Sequence, residues 1–153
     1  MGIDELEGAG EHEGAWGKAA HWIWHSSNAI GIGFIAISTF VFTFTFPHRL
    51  GHHILIEALV GTFNPASALI YLAVQLAMGA LMRSWQAVAT VVGAFVVGMG
   101  LAWIGTSTQW GYSDVEAEGF TAARHILCGG SLTSGFVLGL AMVKGWFWHP
   151  EHR

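Results

Sequence analysis

Residues 53–82 read HILIEALVGTFNPASALIYLAVQLAMGALM and contain no lysine or arginine. As one α-helix, these thirty residues would be about 45 Å long, well beyond the roughly 30 Å hydrocarbon core of a bilayer. Asn64-Pro65 divides the stretch, because Asn is a favoured N-cap and Pro a favoured first helical residue. We therefore expect a membrane span over 65–83, preceded by a short interfacial or re-entrant helix over 52–63. A single kinked and strongly tilted helix is the alternative.

Three further apolar stretches flank this segment, at about 22–46, 86–104 and 121–146. Each is long enough to cross a bilayer as a helix. The first ends at Pro47, which cannot continue a helix. The sequence therefore predicts an all-α integral membrane protein with four transmembrane helices, arranged as one domain over 15–153.

The composition supports the membrane class. Hydrophobic residues make up 53% of the chain and charged residues 10%, whereas a soluble domain has about 25% charged residues. Residues 1–14 are acidic and Gly-rich and lack the positive start of a secretion signal. We expect this segment to be a solvated tail that a partner orders. The chain has no basic patch that would indicate a nucleic-acid partner.

The distribution of lysine and arginine predicts the orientation. Cytoplasmic loops carry the excess of these residues. With four spans, four of the six basic residues share one side with both termini, so we expect both termini in the cytoplasm. The four are Lys18, Arg83, Lys144 and Arg153, and the two on the other side are Arg49 and Arg124.

A group of histidines follows the first span. His48, His52 and His53 lie within ten residues of Glu57. Three imidazoles and a carboxylate suit a borderline metal, Zn²⁺ or Cu²⁺. The alternative is a polar interfacial loop beside Arg49, since the run lacks the spacing of recognised zinc signatures.

A second use of boundary histidines is axial ligation of a tetrapyrrole. Imidazoles from two helices hold a b-type haem, and one imidazole suffices for the magnesium of (bacterio)chlorophyll. His125, which opens the fourth span, is the best candidate, with His52 or His53 as the second ligand. His48 is a further candidate on the same side of the membrane. Small residues after His125 would leave space beside a planar ring. They are Cys128, Gly129 and Ser131.

On the other side of the membrane, His21 and His25 are four residues apart on one predicted helix. They point in similar directions and cannot clamp one ring between them. They would serve two separate rings, or one ring and one hydrogen bond. For each histidine the alternative is a headgroup-level side chain without a cofactor.

Polar residues inside apolar runs suggest a transport path. Ionisable groups at membrane depth are costly and often functional, and Glu57, Asn64 and Gln75 lie in such runs. Interhelical hydrogen bonds are the alternative role for the two amides, and an interfacial Glu57 would simply face water.

Small residues recur every four positions on the last two spans, which lets helix backbones approach closely. We expect these two spans to pack on each other within the bundle. The residues are Ala94, Gly98 and Ala102 on one span, and Ser131, Gly135 and Gly139 on the other.

Three functions remain. The first is a small membrane subunit of a larger energy-converting complex, respiratory or photosynthetic, that binds or packs against haem or (bacterio)chlorophyll through span-end histidines. The second is an oligomeric transporter or channel for protons, metal ions or a small solute, and the third a structural or assembly subunit. We favour the first, because the middles of three spans are Gly, Ala, Val, Ile and Phe rather than polar. We expect that the chain alone is not catalytic. We expect its partners to be the lipid bilayer and either other membrane subunits or further copies of the chain.

Overall fold

The computed structural model describes residues 4–45, 65–107 and 119–147. Within these ranges every element is an α-helix, joined to the next by a short turn where the chain is continuous, and there is no strand. The all-α class predicted from the sequence is thus confirmed for this part of the chain. The helices are α1 (Asp4–His25), α2 (Ser27–Thr45), α3 (Pro65–Leu81), α4 (Trp85–Ser107) and α5 (Gly119–Lys144).

Several predicted features lie outside the described residues. The short helix over 52–63 is one of them, and the zinc or copper site is another. The site residues concerned are His48, His52, His53, Glu57 and Asn64. What the sequence suggests for them stays a prediction.

Two of the described helices are long and apolar enough to cross a membrane. These are α4, over Trp85–Ile104, and α5, over Ala123–Lys144. A third crossing results if the bent pair Gly14–His25 and Ser27–Thr43 forms one span. α3 is also apolar but shorter, at 17 residues. Two to three candidate spans are consistent with an integral membrane protein.

The first predicted span, over 22–46, is not one straight helix. It breaks at Ser26, and the axes of α1 and α2 differ by 66°. Side chains of Ser and Asn compete with the backbone for hydrogen bonds and so weaken a helix locally, and three of them occur in succession from Ser26 to Asn28. The backbone N–H of Ile30 donates to the carbonyl of Ser26 at 2.9 Å, so Ser26 is bonded to the first turn of α2.

α1 begins at Asp4, so the backbone of residues 4–14 is helical. A solvated tail that a partner orders stays a prediction for this segment.

α5 is the central helix of the bundle. It packs against α2, α3 and α4, and 61% of its apolar stretch is buried, compared with 17% for α4. α4 correspondingly exposes large aliphatic side chains, as expected of a helix that faces lipid. They are Val92, Val96, Val97, Leu101 and Ile104.

One apolar cluster closes the end of the bundle at which α3 and α5 terminate, which we call the inner end. It joins Ile23 of α1 to Met82 after α3, Ala87 of α4, and Met142 and Phe147 at the end of α5. α1 is therefore anchored to the bundle through its last turn.

The small residues on α4 and α5 do not face each other as two matched stripes. Gly98 of α4 lies against Gly129 of α5, whereas Gly135 and Gly139 of α5 face away from α4. Gly139 meets Gly31 of α2, and Gly135 meets side chains of α2 and α3. Because α5 is central, its small residues serve three neighbours instead of one.

Candidate functional site

The middle of the bundle contains a buried amide, Gln75 of α3, which has no exposed surface. Its Oε1 accepts a hydrogen bond from Ser134 Oγ at 2.6 Å. Its Nε2 donates to the carbonyl oxygen of Ser131 at 3.0 Å. Both ends of the amide are thus bonded to α5, and the side chain links the two helices.

The serines of α5 complete this contact. Ser131 and Ser134 are fully buried, and the Ser131 hydroxyl donates to the carbonyl of Cys128 at 3.3 Å. Ser134 Oγ also lies 3.0 Å from the Ser131 carbonyl. Since a hydroxyl has one proton, Ser134 shares it between two acceptors, of which Gln75 is the nearer.

A second polar contact lies one turn away along α3. Tyr71 Oη and Ser38 Oγ of α2 are 2.9 Å apart, and Tyr71 Oη donates to the Phe34 carbonyl at 3.3 Å. Gly135 makes room for this contact, because a Cβ there would lie 2.5 Å from Tyr71 Oη and 2.7 Å from Ser38 Oγ. The contact ties α2 to α3 across the central helix.

Gln75 was a candidate for a transport path, and the structure gives it two partners on α5. The sequence did not single out Ser131 and Ser134 as those partners. Their spacing of three residues places both on one face of a helix, which is the signal that was available. In the described part of the chain, the mid-bundle polar groups form short helix-to-helix contacts.

His125 lies near the end of α5 opposite the inner end, and its side chain is 7% exposed. The small residues that follow it do not leave an open space. A Cβ on Gly129 would lie 2.6 Å from Cβ of Ala102, and one on Gly130 would lie 2.7 Å from Cγ of Met99. Side chains of α4 therefore occupy the space beside these glycines, and the glycines allow the two helices to pack closely.

His21 and His25 lie on the last turns of α1 and are both exposed. Their ring centroids are 4.3 Å apart, with the planes at 74°. His125 is far from them, since 17 residues of helix, about 25 Å, separate it from Met142 at the inner end. Among the side chains described, no group of three or more His, Cys, Asp or Glu could hold a metal ion.

Described residues line two surface cavities of the bundle. A cleft of about 290 Å³ opens between α2 and α5, and its lining residues are Ser38, Thr39, Phe42, Leu132, Thr133 and Phe136. A groove of about 440 Å³ lies at the inner end between α1 and α3, and its lining residues are Trp16, Ala77, Ala80, Leu81 and Arg83.

The chain matches no protein-family model, no curated protein and no solved structure. Its function is therefore argued from its own chemistry.

Proposed function

We propose that the chain is a small four-span membrane subunit of a larger energy-converting complex. We further propose that the histidines at the span ends opposite the inner end bind or pack against haem or (bacterio)chlorophyll. These histidines are His48, His52, His53 and His125. The spans are α2, α3, α4 and α5. α2 has 19 residues and α3 has 17, which is within the range of about 17–25 residues for a membrane helix. α1 then lies in the interface, because it is bent by 66° from α2.

The observation that carries the proposal is the bonding of Gln75. A protein that conducts ions or solutes lines its path with polar groups. Here both ends of the most deeply buried amide are bonded to α5. This bonding supports a packed interior without a conducting path. The chain would then act through residues at the ends and on the surface of the bundle, as a subunit of a complex does.

The cofactor part of the proposal rests on the position of His125. Histidine is an established axial ligand of haem iron, and His125 is a buried histidine near one end of α5. The second ligand would come from His48, His52 or His53.

The test is the absorbance spectrum of the purified complex. We expect a Soret band for haem or a near-infrared band for bacteriochlorophyll. His125→Ala should abolish or shift this band while the protein still inserts into the membrane. Gln86→Ala, at an exposed position of α4, is the control and should leave it unchanged. A colourless complex, or an unchanged band in the His125 variant, would remove this part of the proposal.

The orientation, with both termini in the cytoplasm, is also part of the proposal. It is supported by the three cations near the inner end, Lys18, Arg83 and Lys144, and by Arg124 near the other end of α5. Reporter fusions at the two termini test it. Activity of a cytoplasm-dependent reporter at both ends is expected, and activity of a periplasm-dependent reporter at either end would contradict it.

A further inference from the structure

The turn between α3 and α4 contains an arginine with an unusual backbone conformation. Arg83 has φ 50, in the left-handed region. Its N–H donates to the Ala80 carbonyl at 2.9 Å, and the next N–H, of Ser84, donates to the Gly79 carbonyl at 3.2 Å. This pair of bonds is a Schellman motif, with Arg83 at the C′ position.

The same motif ends α5 with the usual residue. Gly145 has φ 67, its N–H donates to the Met142 carbonyl at 3.1 Å, and the N–H of Trp146 donates to the Ala141 carbonyl at 2.9 Å. Glycine is favoured at C′ because a Cβ is crowded in this conformation. At the same position of the motif, the end of α3 thus has an arginine, whereas the end of α5 has the less strained glycine. Non-glycine residues in sparsely populated backbone regions cluster at functional sites, which points to a role for the Arg83 side chain.

The arginine side chain lies at the edge of the groove between α1 and α3. Its backbone is fixed by the motif, and the residue is exposed. Trp16, also exposed, lines the groove from α1. An arginine and a tryptophan at one membrane boundary are typical of the headgroup level.

The rest of the groove is apolar. Ala77, Ala80 and Leu81 line it, and Ala77 continues a stripe of exposed residues on α3 that includes Ile70 and Val74. Residues three and four apart share one face of a helix. A methyl-lined surface therefore runs from the arginine toward the middle of the span.

Two cations lie close to the groove. Arg83 is at its edge, and Lys18 lies two residues after Trp16 on α1. A guanidinium at the edge of an apolar groove favours an anionic group there.

We propose that the groove between α1 and α3 binds an anionic membrane phospholipid. The phosphate lies against the guanidinium of Arg83, whose planar donors match phosphate oxygens. One acyl chain lies along Ala80 and Ala77 toward Val74. A free phosphate would not use this apolar surface, so the ligand is a lipid. Basic pockets beside membrane helices bind anionic headgroups in the same way. The inference needs only the membrane location and is independent of any cofactor.

The experiment measures the lipid retained by the full-length chain. The protein is purified in detergent, supplied with equimolar phosphatidylglycerol and phosphatidylcholine, and analysed by native mass spectrometry. We expect wild type to retain phosphatidylglycerol preferentially. Arg83→Gln should lower this retention about fivefold, which corresponds to the roughly 1 kcal/mol of one basic residue at a membrane surface. Arg83→Lys should keep part of it.

Three further variants separate the site from other effects. Arg83→Gly should lose lipid to the same extent while its lipid-free form melts at a higher temperature than wild type, because the strained backbone is relieved. Ala80→Phe should lower retention with no change of charge, because the ring fills the groove. Lys144→Gln, an exposed cation at the same end but outside the groove, should retain lipid as wild type does.

Three results would overturn the proposal. One is equal retention of the two lipids by wild type. Another is an equal loss in Lys144→Gln and Arg83→Gln, which would indicate diffuse attraction to the protein surface. The third is displacement of phosphatidylglycerol by millimolar inorganic phosphate, which would indicate an anion site that does not use the acyl chain.

Discussion

The backbones of α2 and α5 meet at Gly31 and Gly139. A Cβ on Gly31 would lie 2.7 Å from the carbonyl oxygen of Gly139, and a Cβ on Gly139 would lie 2.6 Å from the carbonyl oxygen of Gly31. Each glycine therefore fills the space that a side chain on the other would need. In a bilayer, where lipid tails are as apolar as the helices, such close approach is a main source of helix association.

The first prediction follows from this contact. Gly139→Ala should destabilise the protein by about 1–3 kcal/mol, the usual cost of adding a methyl group to a fully packed site. Gly33→Ala is the matched control, because Gly33 is also on α2 and has no atom within 4 Å of a built Cβ. The control should be neutral or slightly stabilising, since Ala favours a helix. Unfolding in mixed micelles measures both. Equal stability of the two variants would contradict the close contact.

The second prediction concerns the amide between α3 and α5. Gln75→Met keeps the approximate shape of the side chain and removes its hydrogen bonds to Ser134 and Ser131. We expect a loss of about 0.5–2 kcal/mol, the range for hydrogen bonds between membrane helices. Gln86→Met, at an exposed position of α4, should change stability little.

A double-mutant cycle isolates the bond itself. If Ser134 Oγ bonds to Gln75 Oε1, Ser134→Ala should cost less in the Gln75→Met background than in wild type, with a coupling of at least about 0.5 kcal/mol. Additive losses from the two single variants would mean that the two side chains do not interact.

The third prediction concerns the start of α4. Ser84 is 1% exposed, and its Oγ accepts a hydrogen bond from the N–H of Ala87 at 3.2 Å, which makes it the N-cap. Ser84→Ala should cost about 1 kcal/mol. Ser84→Gly should cost only a few tenths, because Gly suits the backbone of an N-cap. Thermal denaturation in detergent compares the two, and a larger loss for the Gly variant would indicate that packing around Ser84, rather than capping, is what matters.

Hydropathy predicted the later helices well and the first one poorly. The stretches 86–104 and 121–146 correspond to α4 and α5, because an apolar run of about 20 residues has few alternatives to a helix. The first stretch is apolar on both sides of Ser26 and long enough for one span, yet the chain bends there by 66°. Hydropathy indicates which segments are apolar enough to lie in lipid, but it carries no information on the direction of the helix axis. The succession Ser26, Ser27, Asn28 was the only local signal of the break.

The polar interior shows a second limit of the sequence. A lone Gln75 in an apolar run predicts that its amide needs a partner, because an unsatisfied amide in hydrocarbon is costly. The sequence does not say which helix supplies the partner. The answer depends on α5 being central, which places Ser131 and Ser134 opposite α3 while Gly129 faces α4. For the same reason, the sequence predicts free space beside the small residues after His125, whereas side chains of α4 occupy that space.

The fourth prediction uses the single cysteine of the chain. Cys128 of α5 is 1% exposed and packs against Ala68 and Leu132, so a maleimide should reach it only when the bundle opens. In native micelles we expect labelling to be slow and to become complete after denaturation. In a Cys128→Ser background, Lys18→Cys, at an exposed position of α1, should be labelled at once and serves as the control for reagent access. Since α5 contacts α2, α3 and α4, Gly139→Ala should speed the labelling of Cys128 in proportion to its loss of stability. Rapid labelling of Cys128 in the native wild type would mean that the central helix is not enclosed by the other three.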